Sequence, residues 1–545
     1  MILVPLHSRF EAAFESALAY RNPVQDVRLI VQFSNGSHRF QADAFWDGDK
    51  CWRVRFSPSI AGEWLWRTEC SQMDDVGLHG RQGQFECAAA ISPNEWLING
   101  PLRVSADGRH LEYGNRKPFF WLADTAWNGP LKAGQADWDE YLADRKLKGF
   151  SVIQFVATQW LGGDTDADGA TAYQNPGRIE IDSAFFHRLD RRIDRINDFG
   201  LIAAPVLAWA ATWNKEAISL NPGASLSEDQ LIVLIRHLVS RYGAHQVVWI
   251  LSGDGDYGGP EAERWRRIGR ATLAGSRRLA TMHPAGRMRV DKEFECEPWY
   301  SINGYQSGQW KGAESPRWIN ERLLEGCSVR ENSARIMPTI DLEPCYEDHL
   351  PLDFRDPDVP GSQRIDALAV RRACYWSLLA SPVAGVSYGA HGIWSWQESS
   401  AVPLNHPESG MARTWKEALR FAGSESMSHL QAILKSMEWW RLNPCPEMLS
   451  VQPGIDSPLE FVSAACSPES DVAVVYAPAG GVVSLRPGFF GASLEAKCIE
   501  AKCVDPATGR ELWKRQFGDS GAPVDCGTGG DRLLLIGLCE EKRGI

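Results

Sequence analysis

The sequence predicts an α/β protein: a (β/α)8 TIM barrel flanked by an N-terminal and a C-terminal β-sandwich domain. Three observations carry this expectation. Residues 93–440 repeat a strand-then-helix pattern with eight candidate strands, as parallel strands joined by helical crossovers do. Residues 1–92 and 441–545 read instead as short alternating strands punctuated by turn residues, the pattern of sandwiches. Two of the middle strands also end in a carboxylate, where barrel enzymes place catalytic groups.

The chain has 545 residues, too many for one core, so several domains are expected. In the first, Asp26 to Phe33 is strand-like, Asn35-Gly36 is a hairpin signal, and His38 to Trp46 alternates. Asp47-Gly48-Asp49 turns the chain into Cys51 to Phe56, and Gly62 to Thr68 and Gly83 to Cys87 complete an immunoglobulin-like sandwich over 1–92. No acid/base constellation occurs there.

The eight barrel strands are expected at Pro118 to Ala123, Val152 to Thr158, Leu201 to Ala208, Val247 to Leu251, Leu279 to His283, Trp299 to Tyr305, Ile336 to Leu342 and Ala384 to Tyr388. Between them, Trp138 to Lys148, Phe185 to Phe199, Ser225 to Tyr242, Glu261 to Arg278 and Ile365 to Leu379 place apolar residues at helical spacing. Strands return at Leu459 to Ala464, Asp471 to Tyr476, Val482 to Arg486, Leu494 to Glu500 and Arg532 to Ile536, a second small sandwich over 441–545.

Composition narrows the function classes. The net charge is −12, with no basic stripe, which argues against nucleic acid and anionic membrane partners. No apolar run is long enough to span a bilayer. The segment Met1 to Glu11 is too short and too soon charged for a secretory leader. Thirteen cysteines lack zinc-type CxxC spacing, so reduced, buried thiols and a cytoplasmic location are expected; pairing of Cys498 with Cys503 would require an oxidising compartment. No HExxH or GxSxG motif is present, and neither a metal nor a cofactor is expected. Oligomeric state is not legible.

The stretches Val247-Val-Trp-Ile-Leu-Ser-Gly-Asp254 and Ile336-Met-Pro-Thr-Ile-Asp-Leu-Glu343 are apolar runs that end in a carboxylate. Two carboxyls flanking a glycosidic bond are the machinery of its hydrolysis, about 5–5.5 Å apart when the configuration is retained and about 6.5–9.5 Å apart when it is inverted. Asp254 and Glu343 meet only if a barrel brings their strand ends to one mouth. Asp256 and Glu347, just beyond them, compete for the same roles. Gly253-Asp-Gly-Asp-Tyr-Gly258 matches GxGxxG, but its two aspartates would repel a pyrophosphate. Asp164-Thr-Asp-Ala-Asp-Gly169 opens like a calcium loop, yet the twelfth position is Asn175 rather than Glu.

Polar and aromatic residues at other strand ends are candidates to bind sugar: Asp124, Trp127, Gln154, Trp209, His283, Tyr305, Gln306, Tyr388, His391 and Trp394. The chain carries 23 tryptophans, and Trp160, Trp213 and Trp396 also fall near strand ends. Such rings offer a sugar a broad apolar face and one polar handle.

The ordered series Gly114 to Trp127, Tyr141 to Gln154, Val248 to Asp254, Glu343-Pro-Cys-Tyr-Glu347, Arg371 to Leu379 and Tyr388-Gly-Ala-His-Gly-Ile-Trp394 resembles the apiosidase-like family of glycoside hydrolases. Asn22 to Val27, Phe45 to Asp49 and Val54 to Pro58 are similar to the sandwich often fused ahead of such barrels. The resemblance implies a retaining glycosidase without cofactor, in which Asp254 is the acid/base and Glu343 the nucleophile. Apiose, or a similar pentofuranose, is the implied terminal sugar. A glycosidase for a hexoside or arabinoside, and a non-catalytic carbohydrate-binding protein, are the alternatives. Related barrels commonly carry Asn-Glu where this chain has Gly253-Asp254, which leaves the choice between Asp254 and Asp256 open.

Overall fold

The computed structural model describes residues 2–320, 335–352, 364–490, 497–517 and 523–540. At the N-terminus a five-stranded sheet, in the order Ile2–Pro5, Gln82–Ala88, Gly62–Cys70, Leu29–Asn35, His38–Asp43, faces a three-stranded sheet of Phe10–Glu15, Cys51–Phe56 and Phe45–Gly48. Alternate residues of the two sheets point inward. Phe10 stacks on Phe85, and Phe33 on Phe56, each with 4.1 Å between ring centroids. The hairpin after Leu29–Asn35 turns at Gly36, whose φ of +54° a side chain would oppose.

Eight parallel strands form the central sheet: β1 Trp121–Thr125, β2 Val152–Val156, β3 Ile202–Val206, β4 Trp249–Gly255, β5 Ala280–Pro284, β6 Asn303–Tyr305, β7 Thr339–Asp341 and β8 Gly385–Gly389. Their ladder runs β5-β4-β3-β2-β1-β8-β7-β6. Between β5 and β6 the barrel is closed by single hydrogen bonds: Ser301 N donates to Ala280 O at 2.8 Å, Thr281 Oγ1 to Ile302 O at 2.8 Å, and Gly304 N to Thr281 Oγ1 at 3.1 Å. These strands are buried on both faces, hence their near-continuous apolar runs.

Helices cover the barrel. Ser183–Asp198 starts where Asp182 accepts from Ala184 N at 2.9 Å, and it buries Phe185, Phe186, Leu189, Ile193 and Ile196. Ala367–Leu379 starts where Asp366 accepts from Ala369 N. Among the described residues no helix is long and apolar enough to cross a membrane.

The first barrel strand begins three residues later than expected, because Pro118–Phe119 pairs with Leu111–Glu112 in a small hairpin below the barrel. The seventh is shorter than expected. In the C-terminal region, Leu459 lies in a 3-10 turn, Pro458–Glu460, and the strand starts at Ser463. There a six-stranded antiparallel sheet, from Asn443–Pro444 to Glu511–Phe517, packs with the pair Val482–Val483 and Val524–Asp525 around its own apolar core. The side chain of Cys498 lies outside the described residues; Cys503 is a free thiol whose Sγ donates to Cys526 O at 3.7 Å.

Charged clusters fasten the outer regions to the barrel. Asp190 is held by Arg55 Nη2 at 2.7 Å from the N-terminal sandwich and by Arg241 Nε at 2.7 Å from the barrel. Arg241 also meets Asp47 at 2.7 Å. At the other end Arg371 grips Asp531 with two bonds, of 3.0 and 2.9 Å, and Tyr375 stacks on Tyr476.

Candidate active site

β4 ends in Gly253-Asp254-Gly255. Its register against β5 slips on both sides of Gly253, and Asp254 takes a φ of +54°. A bulge of this kind bends the strand and re-aims a side chain, and a non-glycine residue in this conformation is strained, as functional residues often are. The half-buried Asp254 carboxyl thereby faces a cavity at the C-terminal mouth of the barrel. Trp213 Nε1 donates to its Oδ2 at 3.2 Å. The preceding glycine is required by packing, since a Cβ on Gly253 would lie 2.6 Å from the Trp209 ring.

Glu343 lies two residues beyond β7 and is buried. Its backbone is pinned: its N donates to Asp341 Oδ1 at 3.2 Å, and Gly308 N donates to its carbonyl at 2.9 Å. Gln309 Nε2 donates to its Oε1 at 2.9 Å, and His283 Nε2 stands 3.3 Å from its Oε2. Tyr346 is beside it, its phenol held well above the ordinary range, first by burial and then by the Glu343 charge.

Burial, and then the negative charge of Glu343, raises the Asp254 pKa to about 6; His283 and the Trp213 hydrogen bond oppose the rise. That direction suits a general acid. Asp341, buried behind β7, is raised to about 6 by burial, against hydrogen bonds from Ser307 and Ser377.

The cavity measures about 450 Å³, and its walls include the rings of Trp127, Trp160, Trp209, Trp213, Trp310 and Trp394. Trp127 meets Trp209 and His283 edge to face, at 5.4 Å in each case. Gln306 adds an amide. Trp209 Nε1, Trp394 Nε1 and Gln306 Oε1 are buried without a hydrogen-bond partner among the described residues. Buried polar groups left open in a cavity are suited to a hydroxylated ligand. A larger crevice of about 1240 Å³ lies at the opposite, N-terminal ends of the strands, where Lys146, Gly149, Phe150, Ser151 and Ala244 to Gln246 line it. Asp254 and Glu343 are not part of it.

Of the residues singled out from sequence, Asp254, Glu343, Trp127, Trp209, Gln306 and Trp394 line this one cavity, and His283 stands against Glu343. Trp160 and Trp213 join them. Six others do not reach it. Asp124 is an interior residue of β1 that points outward, where Tyr141 Oη and Arg145 Nε each donate to its Oδ2 at 2.6 Å. Tyr388, its neighbour in register, points the same way and donates to Glu347 Oε2 at 2.7 Å. Tyr305 pairs in register with the outward-facing Asp341 and packs on Trp318. Gln154 points inward but is consumed inside the barrel by Thr125, Ser387 and Leu342 O. His391 is buried against Ser409 and Asp348 O. Trp396 stacks on Trp415 in the core.

The rival carboxylates are also placed. Asp256 is exposed and accepts from Gly258 N within its own turn. Glu347 accepts from Tyr388 and from Gly423 N, at the start of the helix Ala422–Lys435. The Asp164–Gly169 loop is knitted internally by Asp166, and Asp168 pairs with Arg188. Among the described residues no group of three or more His, Cys, Asp or Glu side chains could hold a metal ion.

Sequence reasoning missed Gln309, Trp310, Tyr346, His349, His406 and Glu408, all on the cavity wall. Gln309 and Tyr346 follow strand ends closely enough to have been candidates. His406 and Glu408 sit far along the loop after β8, where no periodicity marks them.

A family model described as "Apiosidase-like, catalytic domain" matches residues 105–441, and one described as a domain of unknown function, DUF5060, matches residues 4–71. A glycoside hydrolase family 5 structure from Bacteroides vulgatus superposes with a TM-score of 0.70 at 20% identity, covering 82% of this chain and 95% of that one. A candidate glycoside hydrolase from the same organism gives 0.73 at 17% identity, covering 99% and 100%. A third structure, described as a glycoside hydrolase, gives 0.70 at 20% identity, covering 83% and 100%. These likenesses concern the fold. No curated protein matches the sequence.

Proposed function

The chain belongs to the apiosidase-like family and is a glycoside hydrolase; from that premise we propose that it releases a terminal sugar, apiose or a similar pentofuranose, with retention of configuration. The observation that carries the reading is the pairing of Asp254, whose pKa is raised to about 6, with the buried Glu343 in one aromatic cavity.

The terminal sugar lies among the tryptophan rings with its anomeric carbon toward Glu343. Gln309 holds that carboxylate in one orientation and His283 stands beside it, so little is lost in positioning it for attack. Protonated Asp254 gives its proton to the glycosidic oxygen as that C–O bond breaks. A Glu343 oxygen forms the new bond to the anomeric carbon, and the aglycone leaves as an alcohol. Esterified Glu343 no longer carries charge, so the Asp254 pKa falls and its carboxylate becomes a base. It then takes a proton from water as that water attacks the anomeric carbon, and Glu343 is freed.

The test is sugar release from a panel of aryl glycosides and oligosaccharides that includes apiosides, by wild type and Glu343→Gln. Release of apiose by the wild type alone is the expected result. Release only from a hexoside or arabinoside would keep the mechanism and replace the sugar. Equal release by both proteins would remove Glu343 from its role.

A further inference from the structure

The cavity holds a third carboxylate to which the proposed hydrolysis assigns no step. Glu408 is half-buried on the cavity wall, and its carboxylate has no hydrogen-bond or ion-pair partner among the described residues. The loop that carries it is nevertheless fixed. Ser409 Oγ donates to His406 O at 2.7 Å, and His391 Nε2 stands 3.0 Å from the same Oγ. Asn405 Nδ2 donates to Leu161 O at 2.7 Å, and Asn214 Nδ2 to Asn405 O at 3.5 Å. The loop after β8 is thus tied to those after β2 and β3. His406 also packs edge to face on Trp213, whose Nε1 donates to Asp254. A free carboxylate on a braced loop is a pre-organised acceptor.

The charges around it agree. The titratable side chains on the described cavity wall are Asp254, Glu343, Glu408, His349, His406 and Tyr346, with no lysine or arginine among them, and His283 stands behind Glu343. Trp209 Nε1, Trp394 Nε1 and Gln306 Oε1, buried and without a partner among the described residues, mark the same space as made for a ligand with hydroxyl groups.

We propose that Glu408 is a specificity-determining residue: its carboxylate accepts hydrogen bonds from the hydroxyls of a neutral sugar and repels glycosides bearing a carboxylate or sulfate. A hydroxyl donating to a carboxylate makes a charge-assisted bond, whereas a uronate or sulfate placed there meets like charge with no lysine or arginine on the described cavity wall to neutralise it. The inference rests on the glycosidase reading and specifies its substrate class.

The experiment compares wild type, Glu408→Gln and Glu343→Gln on matched pairs of neutral aryl glycosides and their uronides, with thermal unfolding of each protein to verify folding. Wild type is expected to hydrolyse a neutral glycoside and to discriminate strongly against its uronide. Glu408→Gln, folded as the wild type is, should lose about tenfold or more in kcat/KM on the neutral substrate, mainly through KM, and should narrow the discrimination. Unchanged kcat/KM and unchanged discrimination in Glu408→Gln, or wild-type turnover of the uronide at the neutral rate, would overturn the role of Glu408 alone. Release that persists in Glu343→Gln would instead overturn the reading beneath it. Should Glu408→Gln unfold, quenching of tryptophan fluorescence in Glu343→Gln, by the neutral glycoside but not by its uronide, decides the point; equal quenching by both overturns the proposal.

Discussion

Asp254 and Glu343 are chemically similar residues to which the proposed mechanism gives different tasks, and their surroundings differ. Asp254, on a bulge with one indole donor, is pushed toward the protonated form by burial and by its neighbour. Glu343 is gripped by Gln309 and approached by His283. The sign for activity follows directly: a general acid works while protonated. The kcat/KM profile should therefore fall as the pH rises through about 6, the value to which Asp254 is raised. A pH–rate series on the wild type checks this, and a plateau extending to pH 8 would contradict it. Replacing Glu408 should move that limb to lower pH, because its charge also raises Asp254.

The elements explain how much of this was legible. The apolar runs of β4 and β7 announced buried strands, and the carboxylates at their ends were visible as such. Asp124, Tyr305 and Tyr388 looked equivalent to them, but side chains alternate along a strand, so residues one place apart face opposite sides of the sheet. The hairpin Leu111–Phe119 consumed the expected beginning of β1, leaving Asp124 inside the strand and turned toward Arg145. Gln154 faces the barrel axis but lies too deep. Conversely, His406 and Glu408 come from a loop whose course is set by side-chain to backbone bonds between distant segments, such as Asn405 to Leu161, and these leave no local pattern. At this scale Gly253→Ala is the informative change. Its Cβ would meet the Trp209 ring at 2.6 Å, displacing the cavity wall next to Asp254. Misplacement of about 1 Å can cost about 10²-fold in rate, so kcat/KM should fall by that order with the circular dichroism spectrum unchanged. Wild-type activity in this variant would mean that the ring does not need its place.

Across the whole molecule, the barrel is held between two β regions by buried ion pairs. Burial alone would raise the Asp190 carboxyl, but hydrogen bonds and charge from Arg241 and Arg55 outweigh it and hold the pKa well below the usual carboxylate range. A carboxyl depressed in the folded state contributes stability at pH values above its unfolded pKa, and loses it as the pH falls toward its folded value. Strong acid should therefore loosen the N-terminal sandwich. Asp190→Asn leaves Arg55 and Arg241 without their shared partner, at a cost of about 3–5 kcal/mol. Denaturant unfolding at neutral pH should show the loss, and an unchanged midpoint would contradict it. Asp190 is not among the residues lining the cavity, so the folded variant should retain its activity.

The central claim is that Glu343 forms the covalent bond to sugar. A 2-deoxy-2-fluoro glycoside of whichever sugar the wild type releases slows the second step and should leave the sugar on the protein, located by peptide mass mapping. The result expected is one added sugar on the peptide containing Glu343, absent from Glu343→Gln. A label on another residue, or full turnover with no labelled intermediate and an inverted product, would contradict the assignment.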